Sequence, residues 1–185
     1  MTIRRESPSQ TAGPYVQIGL TPNAAGIDGV FAEDLGSGPV KAEGPRIAVS
    51  GRILDGAGAA MPDAVVEVWQ ADADGSYTPG IWRRILPDAD GVWRLESVRP
   101  GAVTCGDGAV MAPHLNLWIV ARGINLGLGT RTYFPEDAVA QAVDPVLVAV
   151  PEDRRGTLVA RATGEGAYVF DIHLQGAAET VFLDI

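Results

Sequence analysis

The succession of strand-like runs and turn residues between Val49 and Tyr77 limits this chain more than any other stretch. Val49 to Ile53 alternates, Asp55-Gly56-Ala57-Gly58 is turn chemistry, and Val65 to Gln70 is β-branched and aromatic, the composition of two strands joined by a Gly-rich connection. Read alone, it predicts a hairpin-like pair. A period of two puts Ala64, Val66 and Val68 on a core face and Val65, Glu67 and Trp69 on the other. Asp72-Ala73-Asp74-Gly75 then turns the chain and delivers Tyr77, a phenol just beyond a buried strand.

The same punctuation continues. Strands are expected at Val92 to Val98, His114 to Arg122, Thr130 to Phe134, Pro145 to Val150, Thr157 to Arg161, Ala167 to Leu174 and Thr180 to Ile185. With the two above, the chain holds roughly nine or ten short strands at the spacing of a sandwich. Pro135 to Gln141, with proline and acids at its start, is the one helix candidate and spans about two turns. Residues 1–45 are rich in Pro, Gly, Ser and Thr and read as an extended amino-terminal arm, with the sandwich proper over residues 46–185. The expected fold is therefore all-β, a sandwich of mainly antiparallel strands with that arm and at most short helical turns.

Bulk properties remove several function classes. A formal charge of −9 leaves no basic stripe for nucleic acid, and no apolar run approaches the ~20 residues of a membrane span. The start, MTIRRESPSQ, has no apolar segment behind its arginines, so a cytoplasmic protein is expected. The single cysteine, Cys105, excludes an intrachain disulfide and reads as a small buried hydrophobe. On so acidic a chain, any arginine facing an acidic ligand carries unusual weight.

Val49-x-Gly51-x-Ile53, Gly58, Met61, Val66-Glu67-Val68, Gly75 and Tyr77 together resemble the signature of the intradiol ring-cleavage dioxygenases. Asp90-Gly91, Arg99-Pro100-Gly101 and most of residues 8 to 185 are similar to that family as well. The resemblance implies the sandwich fold and ferric chemistry on catechols, with iron held by two tyrosines and two histidines. Tyr77 and His114 match the first tyrosine and the first histidine. Val103 stands where the second tyrosine follows the Pro-Gly pair, and Asn116 replaces the second histidine of the His-x-His strand. Met111 occupies the place of an arginine that steadies the bound catechol. Valine cannot ligate, and a neutral amide is a poor donor to ferric iron, so no metal and no catalytic residue is expected in this chain. Tyr77 and His114 are expected as vestiges, hydrogen-bonded inside a filled pocket. His173, across its strand from Tyr168, Phe170 and Ile172, reads as a surface residue.

The blocks SQTAGPY, VARGIN and TRTYF are similar to the noncatalytic (alpha) chains of two-chain members of the family. That likeness implies a homologous beta chain carrying the Fe3+, a hetero-oligomer of alpha-beta pairs, and a small aromatic acid plus O2 as substrates. The implied reaction opens 3,4-dihydroxybenzoate between its hydroxylated carbons to 3-carboxy-cis,cis-muconate. Arg122, at a strand end beside Gly123, is the candidate for the substrate carboxylate; Thr11, Gly13 and Pro14 of the arm are candidate pocket-lining residues, and Arg131 is an alternative cation within a packed strand. A free-standing dioxygenase with an unusual metal set, or a noncatalytic binding or structural sandwich, are the competing readings.

Overall fold

The computed structural model of the chain describes residues 11–13 and 15–184. Two sheets face each other across one apolar layer. In the first, β1 (Arg46–Leu54) runs antiparallel to β4 (Val92–Val98) along one side. Its other side pairs in parallel with β10 (Ala167–Val169) and then β11 (Ile172–His173), and β9 (Arg161–Gly164) closes against β10. The second sheet is antiparallel throughout, in the order β3 (Ile81–Ile85), β2 (Val65–Gln70), β7 (His114–Val120), β8 (Leu128–Tyr133). A small ribbon of β5 (Val103–Thr104) and β6 (Val110–Met111) stands apart.

Alternation explains the core. Ile47, Val49 and Ile53 point inward from β1, Ala64, Val66 and Val68 from β2 and the residue before it, and Leu115, Leu117 and Ile119 from β7. Trp93, Leu95, Phe170 and Ile172 fill the space between them. Gly51 is required where it stands, since a Cβ there would lie 1.8 Å from the Phe170 carbonyl oxygen. A buried polar fastener joins the sheets: the Gln70 amide donates to the Val98 carbonyl at 2.9 Å and accepts from Ser97 Oγ at 2.7 Å. Arg99 lies flat on the Phe134 ring at 3.8 Å while pairing with Asp137 at 2.6 Å, so its stem and head both serve packing.

Several expectations change. The predicted hairpin does not form, because β1 and β2 belong to different sheets, and Leu54 at the end of β1 bridges to Ala60 in the connection instead. Asp55 ties off a local turn through its carboxylate and the Ala57 and Ala59 N–H groups, and Met61 to Ala64 then carries the chain across the core rather than back along it. Pro145 to Val150 is helical, not extended: Asp144 caps α3 (Pro145–Ala149), accepting from Val146 N and Leu147 N, and Pro145 supplies the first-turn φ. Glu152–Leu158 is a 3-10 helix, and strand β9 begins only at Arg161. Pro135–Asp137 and α2 (Ala138–Gln141) form the expected short helix. Near the amino terminus, α1 (Val16–Leu20) and a series of turns replace a uniformly extended arm. Cys105 is part-exposed in the turn between β5 and β6 rather than buried.

Candidate functional site

The outer face of the second sheet gathers the ligand-like positions. Asp72 shapes the turn after β2 by accepting from Asp74 N at 3.0 Å and Ser76 N at 2.9 Å. Gly75, at φ +84°, presses that turn onto Ala102, whose carbonyl oxygen a Cβ would meet at 2.0 Å. Tyr77 is thereby swung back over the sheet, its ring parallel to Trp69 with centroids 6.0 Å apart. His114 and Asn116, two residues apart on β7, share the face beneath it. The Tyr77 hydroxyl lies 3.3 Å from His114 Nε2 and receives the Asn116 amide at 2.7 Å. Val103 pairs across its ribbon with Met111, whose sulfur accepts from Arg131 Nη1 at 3.2 Å. Tyr77, His114 and Asn116 thus meet at one place, and the Val103 ribbon reaches it through Met111 and Arg131.

Arg131 occupies that place. It projects from β8 opposite Asn116, is 8% exposed, and donates through Nε to Asn116 Oδ1 at 2.9 Å and through Nη1 to the Tyr133 hydroxyl at 3.5 Å. Tyr133 passes the chain of hydrogen bonds to Asp144 at 3.2 Å, and Asp144 also accepts from Ala112 N at 2.8 Å. His114 completes the circuit through Nδ1 and the Ala112 carbonyl at 2.7 Å. Burial, with Arg131 nearby, pushes the His114 imidazole down to about 4, so the ring is neutral at pH 7. Burial likewise raises Tyr133 to about 12 and raises Tyr77, against the opposing pull of the Asn116 hydrogen bond and Arg131. Both phenols keep their protons.

A ferric ion does not fit this arrangement. It needs phenolates and imidazoles converging on an open point, whereas here Val103 offers no donor and the Asn116 oxygen is already committed to Arg131. A guanidinium sits among the donors and repels any cation. Among the described residues no three His, Cys, Asp or Glu side chains group as a metal site.

Arg122 lies elsewhere. It follows β7 at the end opposite His114, eight residues on, beyond a strand that itself runs roughly 20 Å. Its Nε pairs with Asp63 at 2.8 Å, yet the side chain is 64% exposed, and its two terminal nitrogens have no hydrogen-bond partner among the described residues. The arm meets this corner: Ala12 N donates to the Ile124 carbonyl at 3.2 Å, and Thr11 Oγ1 reaches the same oxygen at 3.4 Å. Gly13 is exposed and open, with nothing within 4 Å of a Cβ placed there. Thr11, Gly13 and Arg122 therefore share one corner; Pro14 lies outside the described residues. Asp144 escaped the sequence reading, although an Asp directly before a Pro in a helix entrance is the signal that marks such a cap.

A two-sheet sandwich that carries a tyrosine and a histidine beside two emptied ligand positions defines the class, a ring-cleaving dioxygenase scaffold. The family model described as "Dioxygenase" matches residues 28–176, and the chain belongs to that family, the intradiol dioxygenases. It is similar to the protocatechuate 3,4-dioxygenase alpha chain of Pseudomonas putida, 42% identical over 97% of this chain and 96% of that one. The protocatechuate 3,4-dioxygenase beta chain of Burkholderia cepacia is 33% identical over 74% of this chain and 67% of its own length. Among solved structures, hydroxyquinol 1,2-dioxygenase from Pseudomonas putida DLL-E4 shares the fold with a TM-score of 0.60 at 18% identity, covering 86% of this chain and 72% of that one. Among the described residues no helix is long and apolar enough to cross a membrane.

Proposed function

We propose that this chain is the noncatalytic alpha subunit of a protocatechuate 3,4-dioxygenase, paired with a homologous beta chain that holds the ferric iron. The observation that carries the reading is the filled volume between Tyr77, His114, Asn116 and Arg131, in a chain 42% identical to an alpha chain along nearly its whole length. The iron, when bound in the partner, supplies catechol activation toward O2; the products follow as 3-carboxy-cis,cis-muconate from 3,4-dihydroxybenzoate. This chain's own contribution is binding and positioning.

Arg122 is the residue we assign to that task. A benzoate carboxylate approaching an assembly with this chain's −9 charge needs a cation with free N–H groups. Among the described residues Arg122 offers two such nitrogens, while Asp63 on Nε fixes the plane of the guanidinium. Because Arg122 stands at the far end of β7 from Tyr77, it serves a pocket contributed by the partner rather than one of its own. Thr11 and Gly13, joined to the same loop through Ile124, would wall that pocket together with Pro14. A cytoplasmic setting suits the free Cys105.

The test is co-expression with the homologous beta chain, followed by native mass and metal count. One iron per alpha-beta pair and a visible tyrosinate-to-iron band only when the beta chain is present is the expected outcome. Iron and colour in this chain purified alone would instead make it a free-standing dioxygenase. Failure to capture any iron-bearing homologue would leave a binding or structural sandwich.

A further inference from the structure

The ligand-like pocket does not merely lack donors; it holds a cation. Arg131 is nearly sealed from solvent, and among the described residues no carboxylate lies within ion-pair distance of it. Its contacts are the groups that border the former metal volume: Asn116 on one side, Met111 on a second, Tyr133 on a third. The nearest negative charge, Asp144, is reached through the Tyr133 hydroxyl. Isolated buried charges are costly, so a guanidinium placed here needs a reason beyond strand packing.

Geometry supplies one: the guanidinium reaches the Asn116 side chain on β7, the Met111 sulfur on the β5–β6 ribbon and the Tyr133 hydroxyl on its own strand. Five N–H donors in a plane can bridge acceptors on separate elements much as a metal bridges ligands.

We propose that Arg131 is the internal replacement for the metal, a fixed monocation that cross-links β7, β8 and the β5–β6 ribbon and excludes any multivalent ion from this pocket. This rests on the reading that iron resides in the partner, and goes beyond it by naming what keeps the pocket closed. Loss of the ligands at Val103 and Asn116 is then insufficient to explain the absence of iron here. Restoring them without removing Arg131 should not bring iron back.

The experiment compares V103Y/N116H with V103Y/N116H/R131Q, each full chain assembled with its iron-bearing partner and reconstituted with ferrous iron in air. Wild type fixes the baseline at the partner's iron alone; excess iron in the wild-type chain would sink the subunit reading itself, separately from this inference. V103Y/N116H is expected to stay at that baseline, and V103Y/N116H/R131Q to approach a second iron per pair with a stronger visible band. Equal iron in both variants overturns the proposal. Should the triple variant fail to assemble, R131Q alone answers the question, because Tyr77 and His114 remain. Cobalt(II) should bind it at least about tenfold more tightly than wild type, once the opposing charge is gone. An unchanged cobalt affinity overturns the proposal as firmly as equal iron would.

Discussion

The two ends of β7 are built on opposite terms. At the His114 end every polar group described above has a partner within the chain, and an arginine is buried among neutral donors and acceptors. At the Arg122 end an arginine stands 64% exposed, anchored by one nitrogen with two left over among the described residues. The same side chain type, a few strand steps apart, is used once as internal structure and once as a surface with spare donors. What distinguishes the two ends is thus burial and engagement with the chain rather than composition. A buried hydrogen-bonded network rigidifies, whereas an exposed, anchored cation can meet an anion from solvent.

The largest expected effect lies at the closed end. Asp144→Ala removes the α3 cap, strands the buried Ala112 N–H and frees the Tyr133 hydroxyl in one step. Cap loss and an unsatisfied buried donor together should cost about 3 kcal/mol in urea unfolding. A loss below about 1 kcal/mol would mean that the network is slack and the contrast between the two ends is overstated.

His114 gives the same contrast a pH signature. Its folded value, about 4, lies below its unfolded value of 6.5, so the unfolded chain binds the extra proton as pH falls. The sign follows: stability attached to neutral His114 is present in full above about pH 6.5 and is lost as pH drops toward 4. Between pH 7 and pH 5 the loss should be about 2 kcal/mol. His114→Asn should flatten that part of the stability curve relative to wild type, whatever its absolute stability. Parallel curves for the two proteins would show that the imidazole is not held neutral by its surroundings.

How far the sequence could reveal this follows from range. Alternation identified the core faces of β2 and β7 and put His114 and Asn116 on one side of their strand, because period two is a local property of a strand; Tyr77 joined them only through the family resemblance. It could not show that β1 and β2 part company, since the Gly-rich turn after Leu54 suits a hairpin and a sheet crossing equally well. Pro145 to Val150 looked like a strand for the same reason: β-branched content outweighed the Asp-Pro entrance that makes it a helix. Arg131 reads as part of a packed strand, and it is buried there. Its reach to Met111 and Asn116 spans 20 and 15 residues of sequence, a distance over which no local pattern speaks. Arg122 was visible as a strand-end cation, but its anchor, Asp63, lies before β2 and becomes a neighbour only through the Val65–Val120 pairing.

The smallest effect is expected at the open end, and it separates binding from stability. Arg122→Ala removes an ion pair whose arginine is 64% exposed and whose aspartate, Asp63, is 16% exposed, so unfolding free energy should change by about 1 kcal/mol, well below the loss at Asp144. In the assembled enzyme it should raise KM for 3,4-dihydroxybenzoate about tenfold, the equivalent of one lost charge-assisted contact of modest strength, with iron content unchanged. Catechol, which has no carboxylate, should be turned over with nearly the wild-type KM. Arg122→Lys should recover part of the loss, because a point charge remains while the orientation fixed by Asp63 does not. Raising the salt concentration should narrow the gap between wild type and Arg122→Ala, since a steering contribution from an exposed cation is screened. If the two substrates respond alike, the free nitrogens of Arg122 meet no carboxylate, and the open end of β7 is only a surface. If the KM effect comes with a stability loss like that of Asp144→Ala, the two ends are not different in kind.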